Sequence, residues 1–343
     1  MTTNNKIALV LGATGGVGSE VARRLATAGW NVRALNRDPE RASNMDGVAW
    51  IKGDAMIAAD VAAAADGASL IVHAVNPPGY KDWAKLVLPM IDNTIAAARE
   101  NDARILLPGT VYNYGSDAFP DICEDAPQNA RTAKGKIRVE LERRLRAAAA
   151  SGEAKVLIVR AGDFFGPSAA NNWFSQGMVK PGQRPRAVSY PGQPGVGHQW
   201  AYLPDVAETM VRLIEWGSLD DFATYHMDGH WDADGTRMTD AICRALGDPT
   251  VPVRRMPWLM MRLASPFVPL LRELIEMKYL WDRPVRLRND KLLATLGSEP
   301  HTQLDDAVRA TLVAMGCFAP KLVVINGAGW QAPSSRAVSA RTA

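Results

Sequence analysis

Cysteine is scarce in this chain. Cys123, Cys243 and Cys317 stand far apart, with no CxxC and no nearby histidine pair. That pattern argues against a disulfide framework or a zinc site and points to reduced thiols in the cytosol. Long apolar runs are missing too. The longest, MPWLMMRLASPFVPLL (256–271), is broken by Arg262 and three prolines, too short and interrupted to span a bilayer. The first apolar run, KIALVLG (6–12), reaches glycines at once, so a strand is expected there and not a secretory signal. Neither charge dominates, and a net charge of +3 is too small to argue for nucleic acid or an anionic membrane surface. The expectation is a cytoplasmic, soluble protein, monomer or homodimer, acting on a small molecule with no nucleic-acid or membrane partner.

What is present is rhythm. A length of 343 residues exceeds what one core usually serves. Short apolar strands at 6–12, 31–37, 48–53, 69–75, 103–109 and 155–162 alternate with helical patterns at 17–30, 56–65, 82–101 and 131–151. Such alternation predicts an α/β fold, a parallel sheet with helices on both faces. After about residue 163 the rhythm breaks. Gly and Pro crowd 177–197, which reads as a long irregular loop. A helix (204–216), a strand (223–227), a helix (236–247), a strand (251–255), a helix over 256–281 and further helices to about 316 follow, and the tail lacks periodicity.

Between the first strand and first helix lies GATGGVG, with Gly12, Gly15 and Gly18 spaced GxxGxxG. Glycines let a backbone turn tightly and approach a pyrophosphate, and a helix N-terminus offers free N–H groups and a positive dipole. The backbone of Gly12, Thr14, Gly15, Gly16, Val17 and Gly18 is therefore the candidate dinucleotide cradle. The end of the second strand lacks the acid that would bind the ribose of NAD(H); it carries Asn36 and Arg37, with no acid until Asp38. An arginine fork suits a 2′-phosphate, which favours NADP(H) over NAD(H). Topology brings two later strand ends to the same cofactor: Asp54 and Ala55 near the adenine, and Ala74, Val75 and Asn76 near the nicotinamide ribose.

These pieces, with PGTVYNYG (108–115), EDAP (124–127), KGKIRVELE (134–142), RAGDFFGP (160–167) and YLPDVA (202–207), give the chain a family resemblance. It resembles an extended or atypical short-chain dehydrogenase/reductase of the NAD-dependent epimerase/dehydratase type, over roughly residues 6–217. The resemblance implies a Rossmann-type doubly wound parallel sheet over 1–165, with 198–217 returning to it. A smaller, mostly helical C-terminal substrate lobe is implied over 166–197 and 218–318, leaving a tail at 319–343. It also implies hydride transfer between a nicotinamide cofactor and a carbonyl or alcohol. The family's Ser/Thr position falls on Thr110 and its lysine position on Lys136, beside the nicotinamide ribose.

The family's tyrosine, four residues before that lysine, is missing. Thr132 stands there, and an aliphatic alcohol cannot replace a phenol whose pKa an adjacent cation pulls down from about 10. Three readings follow. Tyr112, on the face of Thr110 if the strand continues, supplies the proton; or Tyr202, His198 or Asp163 does; or the protein is a catalytically silent dinucleotide-binding sensor. Asp163 stands where the family commonly has Asn.

Ten tryptophans, concentrated after residue 170, suit an apolar or ring-containing substrate better than a sugar nucleotide. Tyr114, Asp163, Trp173, Trp200 and Tyr202 are the candidate substrate contacts. His226 and His230 flank a glycine in a strand-like segment, so no metal is expected.

Overall fold

The unbroken apolar run in KIALVLG sends its side chains alternately into two opposite layers. In the computed structural model, which describes residues 6–42, 44–77, 83–169 and 172–318, Ala8 and Val10 of β1 (Ile7–Leu11) face one layer and Leu9 and Leu11 the other. Both faces are buried, as parallel strands require. The chain continues through α1 (Gly16–Thr27), β2 (Asn31–Asn36), β3 (Val48–Lys52), α2 (Ala58–Ala65), β4 (Leu70–His73), α3 (Trp83–Asn101) and β5 (Arg104–Gly109). It goes on through β6 (Asp121–Ile122), α4 (Ala133–Ala150), β7 (Lys155–Arg160), β8 (Asp163–Phe165), β9 (Val188–Tyr190), β10 (His198–Tyr202), α5 (Leu203–Trp216) and β11 (Phe222–His226). The remainder is β12 (His230–Asp232), α6 (Arg237–Leu246), β13 (Val253–Arg255), α7 (Trp258–Ala264), α8 (Pro269–Glu276), β14 (Arg286–Leu287), α9 (Asp290–Leu296) and α10 (Leu304–Ala314).

The main sheet has seven parallel strands in the order β11-β7-β5-β4-β1-β2-β3. This is the Rossmann-type doubly wound sheet, whose strand order reverses beside β1 and opens a crevice at the strands' C-terminal ends. One face packs on Val21 and Leu25 of α1, Val206 and Met210 of α5, and Leu292 of α9. The other packs on Val61 of α2, Val87 and Ile91 of α3, and Leu141 and Leu145 of α4. A third core is aromatic: Tyr114, Phe165, Trp173, Phe174, Tyr190, Trp200 and Trp281 gather with aliphatic side chains of α6 and α10.

Four features differ from the reading of the sequence. The strand expected at 223–227 in the substrate lobe is β11, and it pairs in parallel with β7 as the seventh strand of the main sheet. The 177–197 segment is not wholly irregular, because β9 within it pairs with β13. Residues 256–281 do not form one helix: α7 and α8 are separate, with Pro269 in the first turn of α8, where a missing N–H costs nothing. Finally, the backbone after Gly109 coils into a 3-10 turn over Val111–Asn113, so strand alternation does not govern Tyr112. The KLVVINGAGW segment lies outside the described residues. Among those described, no helix is long and apolar enough to cross a membrane.

Candidate active site

The glycine turn is shaped by close approach. Gly12 has φ +90°, and a Cβ there would lie 2.5 Å from the Ala74 carbonyl oxygen and 2.8 Å from the Val75 nitrogen. A Cβ on Gly18 would lie 2.2 Å from the Gly12 oxygen. Only glycine allows β1, β4 and α1 to meet so tightly. Gly15 precedes α1 without a side-chain cap, and the first turn carries no acid. The N–H groups and positive end of α1 are therefore left facing the crevice, with Thr14 and Gly15 exposed there. This cradle fits a dinucleotide's diphosphate, the N–H groups of Gly16, Val17 and Gly18 being those that would hold it.

The outer strand ends are turns with partly engaged side chains. Asn36 Oδ1 accepts from the Asp38 N–H at 2.8 Å, Asp38 pairs with Arg41 at 3.1 Å, and Arg37 is exposed. Asp54 Oδ1 accepts from the Met56 N–H at 3.0 Å, and the Ala55 carbonyl accepts from Asn93 at 2.9 Å. After β4, Ala74 N–H donates to the Leu11 carbonyl, and Asn76 Oδ1 accepts from Arg138 Nη2 at 3.2 Å.

Helix α4 corrects the placement of the lysine. Its buried face runs through Lys134, Arg138, Leu141 and Leu145, and Lys136 is exposed on the opposite side. The physical reason is phase: at about 100° per residue, a position two from the buried stripe cannot join it. Thr132 is spent as the N-cap, its hydroxyl oxygen accepting from the Gly135 N–H at 3.0 Å. Two cations four residues apart reach inward instead. Lys134 pairs with Glu273 of α8 at 2.7 Å and lies 3.7 Å from Glu276, whose carboxylate also accepts the Ala133 N–H. Arg138 lies over Trp83, 5.1 Å from the ring centroid, while it holds Asn76. Burial first, and the Arg138 charge second, push nearby His73 down to about 3.

Thr110, at the end of β5, belongs to a closed ring of hydrogen bonds. Arg160 Nη2 donates to Glu142 Oε2 at 2.9 Å, and Gln128 Nε2 donates to the same oxygen at 2.8 Å. Gln128 must then present its oxygen to Asn113 Nδ2, 3.0 Å away, which turns Asn113 Oδ1 toward Thr110 Oγ1 at 3.0 Å. Arg160 Nη1 closes the ring on the Thr110 carbonyl. Because Arg160 can only donate, every polarity in the ring is dictated, and the Thr110 hydroxyl donates to Asn113. Its lone pairs remain, so toward a ligand Thr110 is an acceptor.

The tyrosines of this segment do not converge on the crevice as expected. Tyr112 is half-buried against the aromatic core. Tyr114 is fully buried, its hydroxyl 3.2 Å from His226 Nε2 and its ring 5.1 Å from the Arg160 guanidinium carbon. Burial raises that phenol and also holds His226 down at about 3, with Arg160 adding to the latter. Tyr114 is thus packing and not a substrate contact.

Asp163 begins β8 three residues past the end of β7, beside the crevice. Its Oδ2 lies 2.7 Å from His198 Nε2, and the imidazole stacks on Trp281 at 3.6 Å between ring centroids. A carboxylate accepts, so Nε2 donates, and the buried Nδ1 has no hydrogen-bond partner. Asp163 and His198 share with Val111, Gly162, Gln199, Leu280 and Val285 a cavity with room for about one water. Trp173 and Trp200 are core residues, and burial, then Asp205 and Glu20, raise the Tyr202 phenol. Among the described residues no metal-holding cluster occurs. Arg138, Asn113, Gln128, Glu142 and Trp281 were not anticipated from sequence. The helical stripe Leu141–Leu145 would have pointed to Arg138, but nothing local marks the other four.

Comparison with known proteins bears on the fold and the family. The chain is 29% identical over 177 residues to a 3-diazoavenalumate denitrifying reductase of Streptomyces, a match covering 46% of this chain and 56% of that protein. The chain thus spans about half the length of this curated relative. Its fold is shared with WbmH of Bordetella bronchiseptica in complex with NAD+ (18% identity, 90% of this chain and 97% of that one, TM-score 0.67). A putative epimerase from Burkholderia cenocepacia is similar (17%, 91% and 99%, TM-score 0.70). A model described as the NAD dependent epimerase/dehydratase family matches residues 8–224. That stretch runs from β1 into β11 and carries the glycine turn, the Thr110 ring and the Asp163–His198 pair, and the chain belongs to this family.

Proposed function

We propose that the protein is an oxidoreductase that reduces a carbonyl, or oxidises the matching alcohol, on a small apolar or ring-containing substrate. In this reading Asp163 and His198 handle the proton that the family's tyrosine would handle. The observation that carries it is the 2.7 Å contact between Asp163 and His198 at the C-terminal edge of the sheet, in a cavity shared with Val111, the residue after Thr110. The name of the Streptomyces relative, a reductase, supports the same reaction class. The aromatic core beside the pair supports the substrate class.

A nicotinamide dinucleotide, when bound, would supply the hydride. Gly12–Gly18 and the start of α1 receive its diphosphate, and Arg37 favours a 2′-phosphate on its adenosine ribose. Asn76, held by Arg138, marks the edge of the nicotinamide ribose. In the reduction, His198 in its imidazolium form passes its Nε2 proton to the Asp163 carboxylate, which relays it to the oxygen of the carbonyl, leaving a neutral imidazole and an ionised Asp163. Thr110, able only to accept, receives the hydrogen of the alcohol so formed.

Loss of reduced-nicotinamide absorbance over a panel of aromatic and alicyclic carbonyls tests the reaction. Asp163→Asn is expected to lower kcat by about 10²- to 10⁴-fold with dinucleotide binding retained. His198→Gln is expected to lower kcat and move its pH profile, and Tyr112→Phe to leave most activity. Full activity in Asp163→Asn would overturn the assignment. Tight NADPH binding with no carbonyl reduced would favour the silent sensor.

A further inference from the structure

Two stretches of this chain have no carboxylate at all. Residues 164–204 contain neither Asp nor Glu, and neither do residues 249–272. They are brought together in space, because β9 pairs in parallel with β13, Val188 against Val253 and Tyr190 against Arg255. Their cations are Lys180, Arg184, Arg186, Arg254, Arg255, Arg262 and Arg272, all in exposed residues. The whole chain carries only +3, so the remainder is net acidic and the excess positive charge lies in these two segments.

The same side exposes a run of large apolar side chains. Leu259, Met260 and Leu263 of α7 are 73%, 70% and 70% exposed, and Phe267 and Val268, just beyond it, are 85% and 42% exposed. The root of this element is fixed. The Trp258 indole donates to the Pro191 carbonyl at 2.8 Å and packs edge-on against Trp173. Behind it, α8 is tied to Lys134 through Glu273 and Glu276. An anchored element that presents apolar groups outward, on a segment whose own charges are all cationic, fits a partner that is both apolar and anionic.

We propose that this face, built from α7, the following turn and the β9–β13 ribbon, docks the protein on an anionic phospholipid surface. Leu259, Met260, Leu263 and Phe267 enter the acyl boundary. Arg254, Arg255 and Arg262 lie along it, with their stems in the apolar layer and their guanidinium groups at the lipid phosphates. A second copy of the chain is a poorer occupant. A two-fold interface sets the same patch against itself, and because the charges of both segments are all cationic, cation would meet cation. The docked orientation would present the apolar substrate lobe to molecules dissolved in the bilayer. That last consequence alone rests on the function proposed above.

The test uses the full chain and sedimentation with vesicles of phosphatidylcholine alone or mixed with phosphatidylglycerol. Binding is expected to the mixed vesicles only, and to fall as salt is raised. The pair Leu263→Ser with Phe267→Ser should lower bound protein by about tenfold, and the pair Arg254→Ser with Arg255→Ser by several-fold. All four positions are exposed, so the melting curve should stay unchanged. Absence from both vesicle pellets, or binding that neither pair weakens, would overturn the proposal. A dimer in light scattering that Phe267→Ser dissociates would overturn it in favour of a second copy. None of these readouts depends on turnover.

Discussion

Glu142 is the residue whose replacement the structure predicts most sharply. Its carboxylate is 7% exposed and faces Arg160, which is fully buried, at 2.9 Å. Burial works against the Arg160 charge, but Glu142 and Tyr114 outweigh it, so the guanidinium stays above its ordinary range. Glu142→Leu would leave that cation buried and unpaired, and would strip Gln128 of its acceptor. Breaking a buried pair from one side costs about 3–5 kcal/mol. Glu142→Gln is a milder probe. A single oxygen, Oε2, accepts from both Arg160 and Gln128, and an amide oxygen can take over both bonds. What is lost is the charge assistance, roughly 1–2 kcal/mol of a bond worth about 1.5–3 kcal/mol. Urea midpoints read by tryptophan fluorescence would measure both, and Arg160→Met with Glu142→Leu completes a double-mutant cycle. The double variant should regain part of the loss, since no unpaired charge remains, but not all of it, because the Thr110 carbonyl and Gln128 still lose partners. If Glu142→Leu cost under about 1 kcal/mol, or if the cycle showed no coupling, the reasoning about the ring would fail.

Acid should weaken the fold through His73 and His226, both held neutral down to about 3. Unfolded, each takes a proton near 6.5, so the unfolded chain binds more protons between pH 6.5 and 3. Stability then falls as pH drops through that window, by about 1.4 kcal/mol per unit for each histidine. Denaturation midpoints at a series of pH values, with His73→Asn as control, would show whether the slope follows. On α4, Arg138→Ala should weaken NADPH binding about tenfold in a fluorescence titration, whereas Lys136→Ala should change neither binding nor stability beyond about 0.5 kcal/mol. Equal effects would restore Lys136 to the site. Arg37→Ser should reduce affinity for NADPH by about tenfold and leave that for NADH nearly unchanged; no difference between the two would remove the preference for the phosphorylated cofactor.

Much of the site's frame was legible in the one-dimensional pattern. Alternating apolar runs report strands buried on both faces, and a glycine triplet between the first strand and first helix reports a backbone that must pass close to another. Those signals are local, as each depends on residues a few positions apart. Lys136 shows the limit of motif alignment. The motif resemblance put it in the site, and the hydrophobic phase of its own helix, equally present in the sequence, turns it outward. Net charge is a sum and carries no information about where charges lie. A total of +3 conceals two carboxylate-free segments that become neighbours only when β9 meets β13.

By itself, then, the sequence determined six strands of the sheet and the glycine turn at its crevice, because periodicity and glycine act within a single strand–turn–helix unit. Tertiary structure alone decided the chemistry of the crevice. Asp163 and His198 are 35 residues apart, and Arg160 and His226 are 66 apart. The direction of the Thr110 hydroxyl depends on a carboxylate that reaches it only through two amide side chains. Hydrogen-bond polarity passes through space from group to group, so it exists only once packing has set each donor against its acceptor.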